Sequence, residues 1–112
     1  MNIVERKLND VTVLDLEGNL ALESNAQFRK HVAGAIDAGA RKLIVNMARV
    51  KNMDSSGLGE LISCYTTLQR MSGGIKLLHL SDRLQHLLVI TKLTSVLETF
   101  DSEPAAVASF SQ

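Results

Sequence analysis

Two short runs constrain this chain more than anything else in it. "KLIVNM" (Lys42 to Met47) and "IKLLHL" (Ile75 to Leu80) are continuous apolar stretches, the pattern of strands covered on both faces. Between them Leu58, Leu61, Ile62, Tyr65 and Leu68 recur at helical spacing, and Gly73 and Gly74 are expected to end that helix. A strand, a helix and a strand in this order form a crossover unit with parallel strands.

The flanking segments extend the alternation. "VTVLDLEG" (Val11 to Gly18) places Thr12, Leu14 and Leu16 on one face and Val11, Val13, Asp15 and Glu17 on the other. A shorter strand from Ile3 to Leu8 precedes it across the turn residues Asn9 and Asp10, so the two should pair as a hairpin. Ser24 and Gln27 have the spacing of a capping box, and Phe28, Val32, Ala35 and Ile36 then share one face of a helix from about Asn25 to Ala38, stopped near Gly39. Ser81 can cap a third helix whose buried stripe is Leu84, Leu87 and Leu88. A short strand near Val96 to Phe100 leads to a last helix from about Glu103, with Pro104 tolerated in its first turn. The expectation is a single α/β domain over residues 1–112. Its mixed sheet has parallel central strands and an antiparallel first hairpin, with about four helices in the order β-β-α-β-α-β-α-β-α.

Composition excludes several classes of function. With 46% apolar and 21% charged residues, 112 residues suffice for one modest core. Twelve Lys plus Arg balance twelve Asp plus Glu, so summed charge offers no long-range attraction to nucleic acid or to an anionic membrane. Cys64 is the sole cysteine and cannot form an internal disulfide, and "MNIVERKLND" lacks the basic start and apolar stretch of a signal peptide. No window approaches the roughly 18 apolar residues of a membrane span. A cytoplasmic protein with no membrane or direct nucleic-acid partner is expected.

The stretch "MDSSGLGELISCY" (Met53 to Tyr65) sits where the first buried strand, after a brief loop, feeds a helix from about Ser56 to Met71. Gly57 and Gly59 would each cost that helix about 1 kcal/mol relative to Ala. Asp54 or Ser55 can serve as its N-cap, which is the usual role of polar residues there. The glycines leave the first turn bare, either for tight packing on the sheet or for close approach of another surface to the backbone and the serine hydroxyls. Spacing does not choose between the two. Leu58 begins the apolar stripe, so the core is its default place, although a leucine near a helix start can also anchor a partner.

Enzymatic patterns are incomplete. Neither Ser55 nor Ser56 stands in a G-x-S-x-G elbow, and "GLGELI" and "GGIK" do not complete a phosphate-binding loop. His31, His79 and His86 fall on different elements without metal-ligand spacing. Cys64 lies beside the apolar stripe as a small packing residue. No catalytic residue, metal or cofactor is expected.

The segments "KLIVNMARVKN", "MDSSGLGELISCY" and "GGIKLLHLSDRLQHLLVITKLTSVLETFDSEPAAVASF", with "LEGNLALESNAQFRKHV" near the start, closely resemble the STAS family, specifically the bacterial anti-sigma factor antagonists. The resemblance implies that Ser55, the first serine of D-S-[ST]-G-L-G, is the phosphoacceptor of an anti-sigma factor that is also a serine kinase. It also implies a cycle in which the unphosphorylated protein binds that kinase, phosphorylation releases it, and a metal-dependent serine phosphatase resets the switch. Asp54, Ser56, Gly57, Leu58 and Gly59 would then form the partner-binding surface around Ser55. One departure stands out: where many relatives carry Asp after a G-x-L, this chain has Ala21, with Glu23 the nearest acid. The alternative is a STAS domain that is not phosphorylated and serves as a scaffold or as a regulatory subunit of a transporter or stress-sensing complex.

Overall fold

The computed structural model describes residues 1–111. A β-hairpin opens the chain, with β1 (Asn2–Leu8) and β2 (Val11–Leu20) antiparallel about a two-residue turn in which Asn9 takes a left-handed φ of 58°. There follow α1 (Asn25–Asp37), β3 (Lys42–Met53), α2 (Ser55–Arg70), β4 (Gly74–Leu78), α3 (Asp82–Ile90), β5 (Glu98–Phe100) and α4 (Glu103–Ser109). The five strands lie in sequence order, and every pair after the first is parallel. Three right-handed crossovers stepping in one direction place α1, α2 and α3 on the same face.

Two apolar clusters follow from that arrangement. On the helical face Leu14, Leu16 and Leu20 of β2 and Leu43, Val45 and Met47 of β3 pack with Phe28 and Val32 of α1, Leu58, Leu61 and Leu68 of α2, and Leu84 and Leu88 of α3. On the opposite face Val11, Val13, Ile44 and Leu78 meet Ala106 of α4. The alternation expected for β2 therefore resolves into two cores. Beside the start of α4 this second face is polar: Arg6 donates to Asp15 (2.5 Å) and to Glu103 of α4 (2.6 Å), and Asn46 donates to Asp15 (2.8 Å).

Local features depart from expectation in three places. Ser24 and Gln27 form no capping box, because Ser24 lies in a turn with φ −116° and ψ −5° and its hydroxyl turns back to the Asn19 carbonyl (2.6 Å), while the Gln27 amide donates to the Met1 carbonyl (2.8 Å). The residue that leaves α2 with a left-handed φ is Ser72 (60°), not a glycine, and the Gly73 N–H donates to the Leu68 carbonyl (2.8 Å) in a Schellman closure. Gly73 answers a different need, since a Cβ there would lie 2.1 Å from the Arg41 carbonyl oxygen. The brief loop expected after Met47 is also absent: β3 continues to Met53 alongside β2 and leads directly into α2.

Candidate functional site

The carboxyl end of β3, the central strand, delivers Asp54 to the start of α2, at the end of the sheet where connecting segments of α/β folds commonly carry function. Asp54 has an extended backbone (φ −96°, ψ −179°) and caps the helix, its Oδ1 accepting the Gly57 N–H at 2.8 Å. The same oxygen accepts the Ser56 hydroxyl at 2.6 Å, and Oδ2 accepts the Leu22 N–H at 3.1 Å. These bonds, Ser56 first and Gly57 next, hold the Asp54 carboxyl below the usual carboxylate range. One aspartate thus ties the β2–α1 connection to the first turn of α2.

The two serines are not equivalent. Ser55 occupies the first helical position, exposed, and its hydroxyl takes no hydrogen-bond partner among the described residues. Ser56 is half-buried, and its oxygen both donates to Asp54 and accepts from Asn25 Nδ2 at 2.6 Å. Asp54 therefore orients Ser56 rather than Ser55.

The glycines divide as well. Gly57 is buried against the end of β2, where a Cβ would lie 2.0 Å from the Leu20 carbonyl oxygen. Gly59 is exposed, with nothing within 4 Å of where a Cβ would stand. Packing accounts for Gly57 and does not account for Gly59. Leu58 is 6% exposed and belongs to the core of the helical face.

Two neighbours of the site escaped the reading of the sequence. Leu22 is 78% exposed, and its backbone N–H donates to Asp54. Asn25 lies within the buried stripe of α1, at i, i+3 and i+7 with Phe28 and Val32, and that spacing was the available signal. Away from the site, His31 pairs with Glu5 at 3.3 Å, and no helix among the described residues is long and apolar enough to cross a membrane.

A mixed sheet with three helices on one face and an exposed serine at the start of α2 is the architecture of a known domain class. The STAS domain family model matches residues 2–106, and the chain belongs to that family. The anti-sigma-B factor antagonist of Bacillus subtilis is 31% identical over 101 residues, covering 88% of this chain and 91% of that protein. A crystal structure from Thermotoga maritima superposes with a TM-score of 0.93 at 20% identity, over 98% of this chain and 95% of that one. The phosphorylated form of the Bacillus cell fate determinant SpoIIAA superposes with a TM-score of 0.74 at 24% identity, over 96% and 98%.

Proposed function

We propose that this protein is an anti-sigma factor antagonist of a partner-switching cycle, a binding protein without catalytic activity of its own, whose phosphoacceptor is Ser55. The observation that carries the reading is the contrast between adjacent hydroxyls: Ser55 is exposed and unengaged, whereas Ser56 is bonded on both sides. The name of the B. subtilis relative and the phosphorylated state of SpoIIAA point the same way. In the unphosphorylated state an anti-sigma factor with serine kinase activity docks around the start of α2. Asp54, Ser55, Ser56 and the bare turn at Gly59 meet it, with Leu22 as an apolar contact beside them. Gly57 and Leu58 lie beneath and give that surface its shape.

A phosphoserine carries about −1.5 to −2 charges, and the helix dipole and free N–H groups of the first turn favour it at that position. The fold survives the modification. The interface does not, because the dianion adds bulk and must be desolvated beside the Asp54 carboxylate. A metal-dependent serine phosphatase restores the binding state. Intact-mass spectrometry after incubation with ATP and each anti-sigma kinase of the source genome tests the assignment. One added phosphate that is absent in Ser55→Ala and present in Ser56→Ala supports it. Absence of transfer from every such kinase, with stable binding to a different partner, would replace it with the scaffold alternative.

A further inference from the structure

We propose that Asn25 decides which of the two adjacent serines takes the phosphoryl group, holding Ser56 out of the reaction and leaving Ser55 as the acceptor. The inference rests on the phosphoacceptor reading above. Asn25 opens α1, is 5% exposed, and faces the first turn of α2, where its Nδ2 donates to Ser56 Oγ at 2.6 Å. Ser56 Oγ in turn donates to Asp54 Oδ1 at 2.6 Å. A hydroxyl has one proton and two lone pairs. At Ser56 the proton is committed to a carboxylate and one lone pair to an amide.

The other end of that amide shows that stability alone does not explain the residue. Asn25 Oδ1 is buried and accepts no hydrogen bond among the described residues. A buried carbonyl oxygen without a partner destabilises the folded state, and alanine at this position would leave none. The amide retains a use all the same, and Ser56 is the side chain it grips.

Phosphoryl transfer makes the consequence explicit. A lone pair of the acceptor oxygen forms a bond to the γ-phosphorus of ATP, and the bond from that phosphorus to the β,γ-bridging oxygen breaks. ADP leaves with the electron pair, and the hydroxyl proton passes to a carboxylate of the kinase. Ser55 Oγ can do all of this without disturbing its surroundings. Ser56 Oγ keeps a second lone pair, but the Asn25 bond holds that half-buried oxygen against α1 and draws electron density from it, and its proton would have to leave Asp54 to reach the kinase. Asp54 is itself a poor substitute base, since its carboxyl is held below the usual range and also accepts the Gly57 and Leu22 N–H groups. Asn25 acts through Ser56 and is a positioning residue.

The test compares the wild-type protein, Ser55→Ala, Asn25→Ala and the double variant, each incubated with the cognate kinase and ATP, with the modified residue mapped by tandem mass spectrometry. Asn25→Ala alone should still be phosphorylated on Ser55, which also reports that it folds. Transfer to Ser56 should be near background in Ser55→Ala and rise about tenfold in the double variant, the order of one net hydrogen bond to the reacting oxygen. A gain at one named residue is not what general loosening of the fold produces. The inference is overturned if the double variant shows no gain at Ser56, if Ser55→Ala alone is readily phosphorylated there, or if Asn25→Ala loses transfer to Ser55. The phosphoacceptor reading survives the first and third of those results, whereas ready phosphorylation of Ser55→Ala counts against Ser55 as the sole acceptor as well. If the wild-type protein accepts no phosphate from any kinase of its genome, the reading and the inference fall together.

Discussion

Gly57 packs against Leu20 so closely that a Cβ at Gly57 would stand 2.0 Å from the Leu20 carbonyl oxygen. That carbonyl also accepts the Asp54 N–H at 3.4 Å, so the end of β2 and the start of α2 are locked at one point. The contact is with backbone, which cannot swing aside. Gly57→Ala should therefore destabilise the fold by about 2 kcal/mol or more, as overpacking does in well-packed cores. Gly59→Ala, with open space around it, should instead stabilise α2 by about 1 kcal/mol through helix propensity. Urea denaturation of the two variants checks the opposite signs.

Asp54 accepts three hydrogen bonds, from Gly57, Ser56 and Leu22, whereas Ser56 contributes one of them. Asp54→Ala should lower the Tm more than Ser56→Ala does, because it removes the cap and the tie to the β2–α1 connection together. Differential scanning calorimetry on both variants gives the comparison. Equal Tm values would mean that the cap does not hold the site.

Acid should loosen the polar face of the sheet. The Arg6 guanidinium, assisted by the Asn46 amide, holds the Asp15 carboxyl below its usual range against the opposing effect of partial burial. A carboxylate whose folded pKa is depressed stabilises the protein above its unfolded pKa of about 3.9, and that contribution disappears as pH falls through the folded value. Stability measured from pH 7 down to pH 2 should fall below about pH 4. Asp15→Asn should be less stable at neutral pH and show a shallower acid dependence.

Cys64 should be inert while the protein is folded. Burial in α2, with the Glu60 carboxylate adding to it, pushes its thiol pKa up to about 12, which leaves almost no thiolate at pH 8. Alkylation by iodoacetamide at pH 8 should be slow in buffer and rapid in 6 M guanidinium chloride. Rapid labelling of the folded protein would show that the cleft between α1 and α2, lined by Val32, Ile36 and Cys64, opens.

The apolar run at Lys42–Met47, the one begun at Ile75, which ends as a strand at Leu78 rather than Leu80, and the helical stripe from Leu58 to Leu68 made the parallel core legible in the sequence, because each holds one pattern along its length. The second half of β3 does not. Its pairing with β2 shifts register between Asp15 and Glu17 and again between Gly18 and Leu20, so that Met47, Val50 and Met53 are buried three residues apart. An extra residue at each irregularity hides the strand from a search for period two. The segment reads as a polar loop, yet it aims Asp54 and Ser55.

At the site itself the exposed serine and the bare first turn were visible in "DSSGLG", but the difference between Ser55 and Ser56 was not. That difference arises from Asn25, 31 residues away, and from the direction of the Asp54 carboxylate. The two glycines looked alike in the sequence as well. They are told apart by the Leu20 carbonyl, a group that no spacing rule places beside Gly57.

The central claim is that the charge state of Ser55 controls partner binding. Isothermal titration calorimetry of the cognate anti-sigma factor against this protein, unphosphorylated and then quantitatively phosphorylated on Ser55, measures it directly. The account predicts that phosphorylation weakens binding over a hundredfold, corresponding to about 3 kcal/mol, while circular dichroism shows the fold unchanged. Equal affinity of the two forms would contradict it.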